Sequence, residues 1–102
     1  MAAPAFAALG DESRLAIVTE LAKGERAVSQ LVEVVDISQP GVSQHLKVLR
    51  DAGLVRMRPQ GQRRLYSLDP QGFRVIELWL ERHRRVWAKR LDALEQHMDD
   101  NP

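Results

Sequence analysis

The sequence predicts a mainly α-helical fold with one small β-hairpin and a long C-terminal helix. Apolar residues recur three or four positions apart over most of the 102 residues, which is the spacing of helices with one buried face. Between residues 54 and 68 the spacing changes to alternation around a glycine, and no Gly or Pro interrupts residues 73–98. A chain of this length supports one modest core, so we expect a single domain over residues 1–102.

Two short helices are expected in the first third of the chain. Asp11 is placed to cap one of them, whose apolar residues repeat up to Gly24. The other is predicted from about residue 29 to residue 35 and is broken at Asp36. Its inward-facing residues are expected to be Leu31, Val34 and Val35.

The next helix has clear boundary signals and a polar outer face. Ser38 is a suitable N-cap, Pro40 fits a first helical turn because its missing N–H is not needed there, and Gly53 is a suitable left-handed C-cap. The outer face carries no acid before Asp51, so this second helix of the helix-turn-helix unit predicted for about residues 29–53 presents a polar, basic surface. The apolar stripe of this helix consists of Val42, Leu46 and Leu49.

The rest of the chain is predicted to form a two-stranded hairpin over about residues 54–68 and a last helix over about residues 70–98. A helix of roughly 26 residues forms a rod of about 39 Å, which is longer than a core of this size can cover. Part of its apolar stripe should therefore pack against a second copy of the chain. The stripe comprises Phe73, Ile76, Leu80, His83, Trp87, Leu91, Leu94 and Met98.

Charge is distributed unevenly, although the whole chain carries only +1. Residues 39–68 hold six Lys or Arg against Asp51 alone, a net charge of +5, so a polyanion would meet this middle third of the chain. A basic, acid-free helix suits the major groove of DNA, and an arginine-rich hairpin suits the flanking backbone or the minor groove. The order of elements therefore predicts a winged helix-turn-helix protein whose partner is double-stranded DNA.

Several stretches of the sequence also follow a known pattern. They are Leu9-Gly10-Asp11-Glu12-Ser13-Arg14-Leu15, the run from Ile37 to Arg50, Ala52-Gly53-Leu54-Val55 and Tyr66-Ser67-Leu68-Asp69-Pro70. Over about residues 6–98 the chain thereby resembles the ArsR family of bacterial repressors. The resemblance implies a symmetric homodimer, built from the first and last helices, that occupies an operator until an effector releases it. The dimer contacts are then expected to be Phe6, Leu9, Phe73, Ile76, Leu80, Trp87, Leu91 and Leu94.

The resemblance also implies which residues of the polar helix contact DNA. The residues at the family's DNA-reading positions are Ser38, Gln39, Ser43, Gln44 and His45. Gln39 and Gln44 are expected to read bases, since an amide can form two hydrogen bonds with adenine. The two serines are expected to donate to phosphates, although Ser38 alternatively only caps its helix. His45 lies beside the apolar stripe and is alternatively a partly buried, hydrogen-bonded side chain.

The remaining predicted DNA contacts are basic or amide side chains. Lys47 is expected to contact a phosphate from the polar helix. At the tip of the hairpin, the expected contacts form a group that no carboxylate neutralises, which favours a polyanionic partner. This group consists of Arg58, Gln60, Arg63 and Arg64.

Metal sensing through thiolates is not expected, because the chain contains no Cys. The resemblance aligns the thiolate positions of metal-responsive members with Ala27 and Ser29, and their other ligand positions with Pro70, Gly72, His83 and Val86. A shifted register that groups Glu81, His83 and His97 leaves a gap at Leu94. No metal or other cofactor is therefore predicted. A metal-responsive repressor that uses His83 is kept as an alternative.

Other function classes have less support in the sequence. A winged-helix module that binds another protein through the same face is an alternative, which the local charge of +5 disfavours. An enzyme is not expected, because three scattered His without a paired nucleophile or a Gly-rich phosphate loop form no catalytic group. No run approaches the ~20 apolar residues of a membrane span, and the N-terminal residues lack a secretion signal, so a cytoplasmic protein is expected. The effector is unknown, and a thiolate-bound metal is not expected to be one.

Overall fold

The computed structural model describes residues 2–100 and shows five helices and a small antiparallel sheet among them. The helices are α1 (Ala3–Leu9), α2 (Glu12–Leu21), α3 (Val28–Val35), α4 (Gln39–Asp51) and α5 (Pro70–Asp100). The strands are β1 (Arg26–Ala27), β2 (Val55–Gln60) and β3 (Arg63–Leu68). The predicted fold, a mainly α-helical winged helix-turn-helix with a long last helix, is confirmed.

Local capping determines where the first two helices begin. Pro4 lies in the first turn of α1, where it has no N–H to leave unpaired. Asp11 is the N-cap of α2, as predicted, and its Oδ1 accepts a hydrogen bond of 3.0 Å from the backbone N–H of Arg14. Because this bond favours the charged carboxylate, it lowers the pKa of Asp11. The buried residues of α2 are Ile17, Val18 and Leu21.

The third helix, α3, begins after Ala27, whose backbone N–H donates to the side-chain oxygen of Gln30 at 2.8 Å. Leu31 is fully buried and Val35 is partly buried, as predicted. The prediction that Val34 faces the core is wrong, because its side chain is 55% exposed. Positions 28, 31, 32 and 35 form the inward stripe of this helix, and position 34 lies about 100° away from it around the axis.

The N-terminal half of α4 follows the sequence signals closely. Ser38 accepts a hydrogen bond of 3.2 Å from the backbone N–H of Gly41, and Pro40 lies in the first turn. Asp36 ends the preceding helix in the left-handed region, with φ of 57°, and so makes the tight turn between α3 and α4. The predicted apolar stripe is buried and consists of Val42, Leu46 and Leu49.

The C-terminal end of α4 is closed by a Schellman motif. Gly53 has φ of 78° and donates its N–H to the carbonyl of Arg50 at 2.9 Å. Leu54 donates its N–H to the carbonyl of Leu49 at 3.0 Å, and both leucine side chains are fully buried. The left-handed position favours glycine, because a side chain there is strained. The predicted cap is therefore confirmed.

The hairpin is confirmed, and its sheet has a further strand that the sequence pattern did not predict. Gly61 turns the chain with φ of 64°, and β2 pairs with β3 along its whole length. The two-residue strand β1 pairs with the other side of β3 and gives the order β1-β3-β2. Two residues are too few for an alternation to be recognised. Because β2 is an edge strand, Pro59 is tolerated within it.

The first turn of α5 packs against backbone at the end of α4. Asp69 donates its N–H to the carbonyl of Leu54 at 2.9 Å. A Cβ added at Gly72 would lie 1.9 Å from the carbonyl oxygen of Gly53, which is far inside van der Waals contact. Only glycine at position 72 therefore permits the two segments of backbone to approach this closely.

The hydrophobic core lies between α1, α2, α3, α4 and the base of the hairpin. From α5 only the first turns reach it, through Phe73 and Ile76, which are partly buried against the cluster. That a single domain spans residues 1–102 stays a prediction. No helix within the described residues is long and apolar enough to cross a membrane.

Beyond Ile76 the apolar stripe of α5 extends away from the core. The molecule measures 61 × 28 × 20 Å, and the large apolar side chains of this stripe are half or more exposed, whereas His83 is partly buried. Phe6 of α1 is 37% exposed and contacts Trp79 of α5, with the ring centroids 5.3 Å apart in an edge-to-face arrangement. Trp79 was not among the predicted dimer contacts. The exposed members of the predicted dimer stripe on α5 are Leu80, Trp87, Leu91 and Leu94.

Replacing Gly72 with Ala is expected to lower the free energy of unfolding by about 1–3 kcal/mol, because the added Cβ overlaps the backbone of Gly53. Helix propensity alone would predict the opposite sign, a gain of up to about 1 kcal/mol. Urea unfolding followed by circular dichroism measures the difference. The control is Gln71→Ala, in the same turn, whose exposed side chain should change stability by less than about 0.5 kcal/mol. A Gly72→Ala variant as stable as the wild type would contradict the close approach.

Candidate nucleic-acid interface

The outward face of α4 presents the polar side chains that the sequence singles out. Its first turn contains no acidic residue, and the partial positive charge at a helix N-terminus favours nearby phosphates. Ser38 uses an oxygen lone pair as the cap and retains its hydroxyl hydrogen, so capping and phosphate contact are compatible. The exposed residues on this helix include Gln39, Ser43, Gln44 and Lys47.

The start of α4 and the tip of the hairpin line one cleft of about 320 Å³. Gln39 and Ser43 of α4 line it together with Arg63 and Arg64 of β3. The fold thus brings the predicted base-reading helix and two of the predicted wing contacts to the same place. Hydroxyl, amide and guanidinium groups that converge in this way are suited to the phosphates and base edges of nucleic acid.

The predicted wing contacts are divided between the two faces of the hairpin. Gln60 pairs with Arg63 and Arg58 pairs with Leu65, so these residues share one face. Arg64 points to the opposite face. The basic and amide side chains are exposed on both faces, so either face of the hairpin can present positive charge to DNA.

Arg58 is paired with a carboxylate, which corrects the expectation that no carboxylate neutralises the hairpin group. Its Nε and Nη2 donate to the two carboxylate oxygens of Glu25, each at 2.8 Å. Glu25 precedes β1, and the pairing of Ala27 with Leu65 and of Leu65 with Arg58 brings β1 into reach of β2. The sequence analysis missed this contact because the partners are 33 residues apart and β1 was not predicted.

The hydrogen bonds from Arg58 lower the pKa of Glu25. The DNA contact predicted for Arg58 stays a prediction. It requires the guanidinium either to leave the Glu25 carboxylate or to bind it and DNA at the same time.

Lys47 is also paired, with Asp51 at 3.0 Å, but both side chains are 68% exposed. An exposed pair of this kind contributes little stability, so Lys47 remains available to a phosphate.

His45 is partly buried and lies against α2. Its Nδ1 is 3.4 Å from Nη1 of Arg14, which fits the alternative of a hydrogen-bonded, partly buried histidine. The two interpretations are compatible, because the second ring nitrogen is not used in this contact. The DNA contact predicted for His45 therefore stays a prediction.

The positions considered for metal binding have other contacts. The Nδ1–H of His83 donates to the carbonyl of Trp79 at 2.7 Å, and the two rings stack with centroids 4.2 Å apart. Ala27 precedes α3 as its N-cap, and Ser29 lines the cleft described above. Within residues 2–98, whose side chains are described, no three His, Asp or Glu side chains converge to hold a metal ion.

Sequence reasoning missed Arg14 and Glu25, whose side chains contact predicted site residues, and Trp79, which packs against Phe6 and His83. Arg14 falls in the stretch that carries the family resemblance, but nothing in a linear pattern indicates its contact with α4. The aromatic pair between Trp79 and Phe6 is 73 residues apart along the chain, and only the packing of α1 on α5 brings it together. Long-range side-chain partners of this kind leave no periodic signal.

Comparison with protein families shows what the chain is similar to. The profile of a family described as "Bacterial regulatory protein, arsR family" matches residues 11–57, which extend from the N-cap of α2 into β2. The HTH-type transcriptional regulator Rv2034 of Mycobacterium tuberculosis is 45% identical over 95 residues, which are 93% of this chain and 86% of that protein. The arsenical resistance operon repressor of Escherichia coli is 46% identical over 66 residues, 64% of this chain and 56% of that protein.

Solved structures agree with the sequence relatives. A crystal structure described as an ArsR family transcriptional regulator, RHA00566, has a TM-score of 0.75 at 30% identity and covers 83% of this chain and 93% of that one. An ArsR-like transcriptional regulator from Rhodococcus sp. RHA1 has a TM-score of 0.74 at 33% identity and covers 93% of this chain and 90% of that one. Similarity of fold therefore accompanies similarity of sequence over nearly the whole chain.

The ion pair between Arg58 and Glu25 makes stability depend on pH. Because the pKa of Glu25 lies below its ordinary 4.5, the stabilisation is complete above that pH and is lost as the pH falls through the lowered pKa. Glu25→Gln is therefore expected to melt below the wild type at about pH 7 and close to it at about pH 3. Thermal unfolding at the two pH values measures this, with Glu33→Gln on the exposed surface of α3 as the control. A deficit of equal size at both pH values would contradict the charge pairing.

Proposed function

The chain belongs to the arsR family of bacterial regulatory proteins and is a DNA-binding transcriptional regulator, and we propose that it acts as a homodimeric repressor on an inverted-repeat operator. The family and the named relatives are regulators of transcription rather than enzymes. The observation that supports the site of DNA binding is the cleft shared by α4 and the hairpin tip. We place this activity in the cytoplasm, where bacterial DNA lies.

In this proposal α4 enters the major groove and the hairpin follows the flanking backbone. Gln39 and Gln44 read base edges, because an amide matches the donor and acceptor pair of adenine. The two serines and Lys47 position the helix through phosphates, which carry no sequence information. Arg63 and Arg64 supply sequence-independent attraction from the wing, supported there by Gln60 and by Arg58 when it is released from Glu25.

The proposed dimer rests on the unpartnered stripe of α5. Four large apolar side chains of the predicted stripe are 50–60% exposed, and they continue a line that starts at the partly buried Phe73 and Ile76. Contiguous apolar surface of this kind is uncommon on a monomer and marks an interaction surface. A two-fold axis along α5 and α1, with Phe6 and Leu9 at its edge, would place two copies of α4 on successive major grooves. The four exposed side chains are Leu80, Trp87, Leu91 and Leu94.

The effector, if the protein has one, is proposed not to be a thiolate-bound metal. The names of some relatives refer to arsenical or mercury resistance, which describes those proteins. Here Ala27 and Ser29 occupy the aligned positions of the thiolate site, and neither side chain is a ligand for soft metals. His83 uses Nδ1 in a hydrogen bond to Trp79 and so has one nitrogen left for a ligand.

Two sets of variants are expected to distinguish the reading of bases by α4 from the attraction of the hairpin to the DNA backbone. Gln39→Ala and Gln44→Ala should each weaken binding to a duplex selected from the source genome by about 1–3 kcal/mol and leave binding to random DNA nearly unchanged. Arg63→Ala combined with Arg64→Ala should weaken both and reduce the salt slope by up to about two units. Fluorescence anisotropy between 50 and 200 mM salt, roughly the range in which counterion release is steep, measures both quantities. Equal losses on selected and random DNA for the glutamine variants would remove them as base readers.

Dimerisation is tested by placing charge in the exposed stripe. Trp87→Glu combined with Leu91→Glu is expected to give monomers in sedimentation equilibrium at about 10 μM, because two buried carboxylates per protomer cannot be solvated at the interface. Val34→Glu, at an apolar position of similar exposure on α3, is the control and should remain dimeric. A wild-type protein that is monomeric at tens of micromolar and still tightly bound to one half-site would show that the stripe has another role.

The exclusion of soft metals is also testable on the complex with DNA. Zinc, cadmium or arsenite at roughly micromolar concentration should not release the protein from the selected duplex, because His83 has too few partners and no thiolate is present. Anisotropy of the labelled duplex follows release. Dissociation that a chelator reverses, and that a His83→Ala variant no longer shows, would establish the metal-responsive alternative.

A further inference from the structure

The side chain of Arg14 joins three helices at the back of the candidate interface. Its Nε donates to the carbonyl of Ala8 near the end of α1, and its Nη1 lies 3.4 Å from Nδ1 of His45 on α4. Its own backbone N–H is held by the Asp11 carboxylate at 3.0 Å. Arg14 is partly buried; the carbonyl of Ala8 holds its Nε, and its Nη1 faces one nitrogen of the histidine.

This contact determines where His45 carries its proton. A guanidinium can only donate hydrogen bonds, and it stays charged at any working pH. The Nδ1 of His45 must therefore accept, and a neutral imidazole with Nδ1 unprotonated has its single hydrogen on Nε2. A hydrogen on Nδ1 would place an N–H against the guanidinium, so the bond requires that Nδ1 carry none. The nitrogen that remains for other partners is a donor.

We propose that Arg14 is a positioning residue for DNA binding, which holds His45 in the Nε2–H tautomer so that His45 donates to an acceptor atom of the operator. The proposal rests on the proposed contact of α4 with DNA. The acceptor is a phosphate oxygen or one of the acceptors at the base edges in the major groove, which are purine N7, guanine O6 and thymine O4. None of these atoms carries a hydrogen that would repel the donor. Amino groups at the edges of adenine and cytosine are excluded as partners, because they also donate.

The first test uses the free protein and therefore does not depend on the proposed function. Long-range proton–nitrogen NMR spectra distinguish the two neutral tautomers, and a His45→Ala variant assigns the signal among the three His. Wild-type His45 is expected to show the Nε2–H pattern, and Arg14→Ala is expected to show a mixture of tautomers. Lys23→Ala removes the same charge just after α2 and should leave the pattern unchanged. A wild-type spectrum with the proton on Nδ1 would overturn the proposal, whether or not Arg14→Ala folds.

The second test asks whether the two residues act together on DNA. Arg14→Ala and His45→Ala are each expected to weaken binding to the selected duplex by ~3–10-fold, and the double variant should lose no more than either alone. Lys23→Ala should lose less. Losses that multiply in the double variant would mean that Arg14 acts independently of His45, which contradicts positioning. Circular dichroism of each variant confirms that the comparison is between folded proteins.

The third test identifies the acceptor. Duplexes that carry a single 7-deazapurine lack one N7, those with 2-aminopurine in place of a guanine lack one O6, and those with 5-methyl-2-pyrimidinone in place of a thymine lack one O4. Duplexes that carry a single methylphosphonate lack one charged phosphate oxygen. Wild-type protein should lose affinity for one member of one series, and His45→Ala should be insensitive to that same change. If no position in any of these series depends on His45, the proposal is wrong. If the protein binds no duplex at all, the proposed function fails while the tautomer measured by NMR still stands.

Discussion

The close approach of Gly72 to the backbone of Gly53 determines how the last helix leaves the rest of the fold. A Cβ at position 72 would lie 1.9 Å from the carbonyl oxygen of Gly53, and Asp69 binds the carbonyl of Leu54 in the same junction. The end of α4 and the start of α5 thus contact each other through backbone atoms, which cannot change conformation as easily as side chains can. Because α4 is the helix proposed to contact DNA and α5 the helix proposed to pair with a second copy, this junction would set the distance and angle between two recognition helices.

A second constraint divides the basic residues of the hairpin by role. Arg58 is tied to Glu25 by two hydrogen bonds of 2.8 Å, whereas Arg63 and Arg64 line the cleft beside α4. The first pairing joins β2 to the segment before β1 across the intervening strand and so favours one orientation of the hairpin. The hairpin then holds the two arginines at the cleft in one orientation before a polyanion binds. This lowers the conformational entropy that the hairpin would otherwise lose on binding. Charge alone, counted along the sequence, does not distinguish these roles.

The sequence predicted what depends on local signals and missed what depends on contacts between distant segments. Ser38, Pro40 and Gly53 marked α4 correctly because capping acts over a few residues, and the alternation around Gly61 marked the hairpin. The burial of Val34 was predicted wrongly because a short helix offers few positions from which to determine its inward face. The ion pair of Glu25, the bridge from Arg14 and the aromatic contact of Phe6 with Trp79 join segments that are distant along the chain, and no spacing rule reveals them.

In the proposed complex, two copies of the chain present two α4 helices and two hairpins to one face of a duplex. A hydroxyl-radical footprint of the wild-type protein on its selected duplex tests this most directly, because it maps backbone protection nucleotide by nucleotide. We expect two equivalent protected patches related by a dyad and centred about one helical turn apart or slightly more, each with a flanking extension from the hairpin. A single protected patch without two-fold symmetry at saturating protein would contradict it.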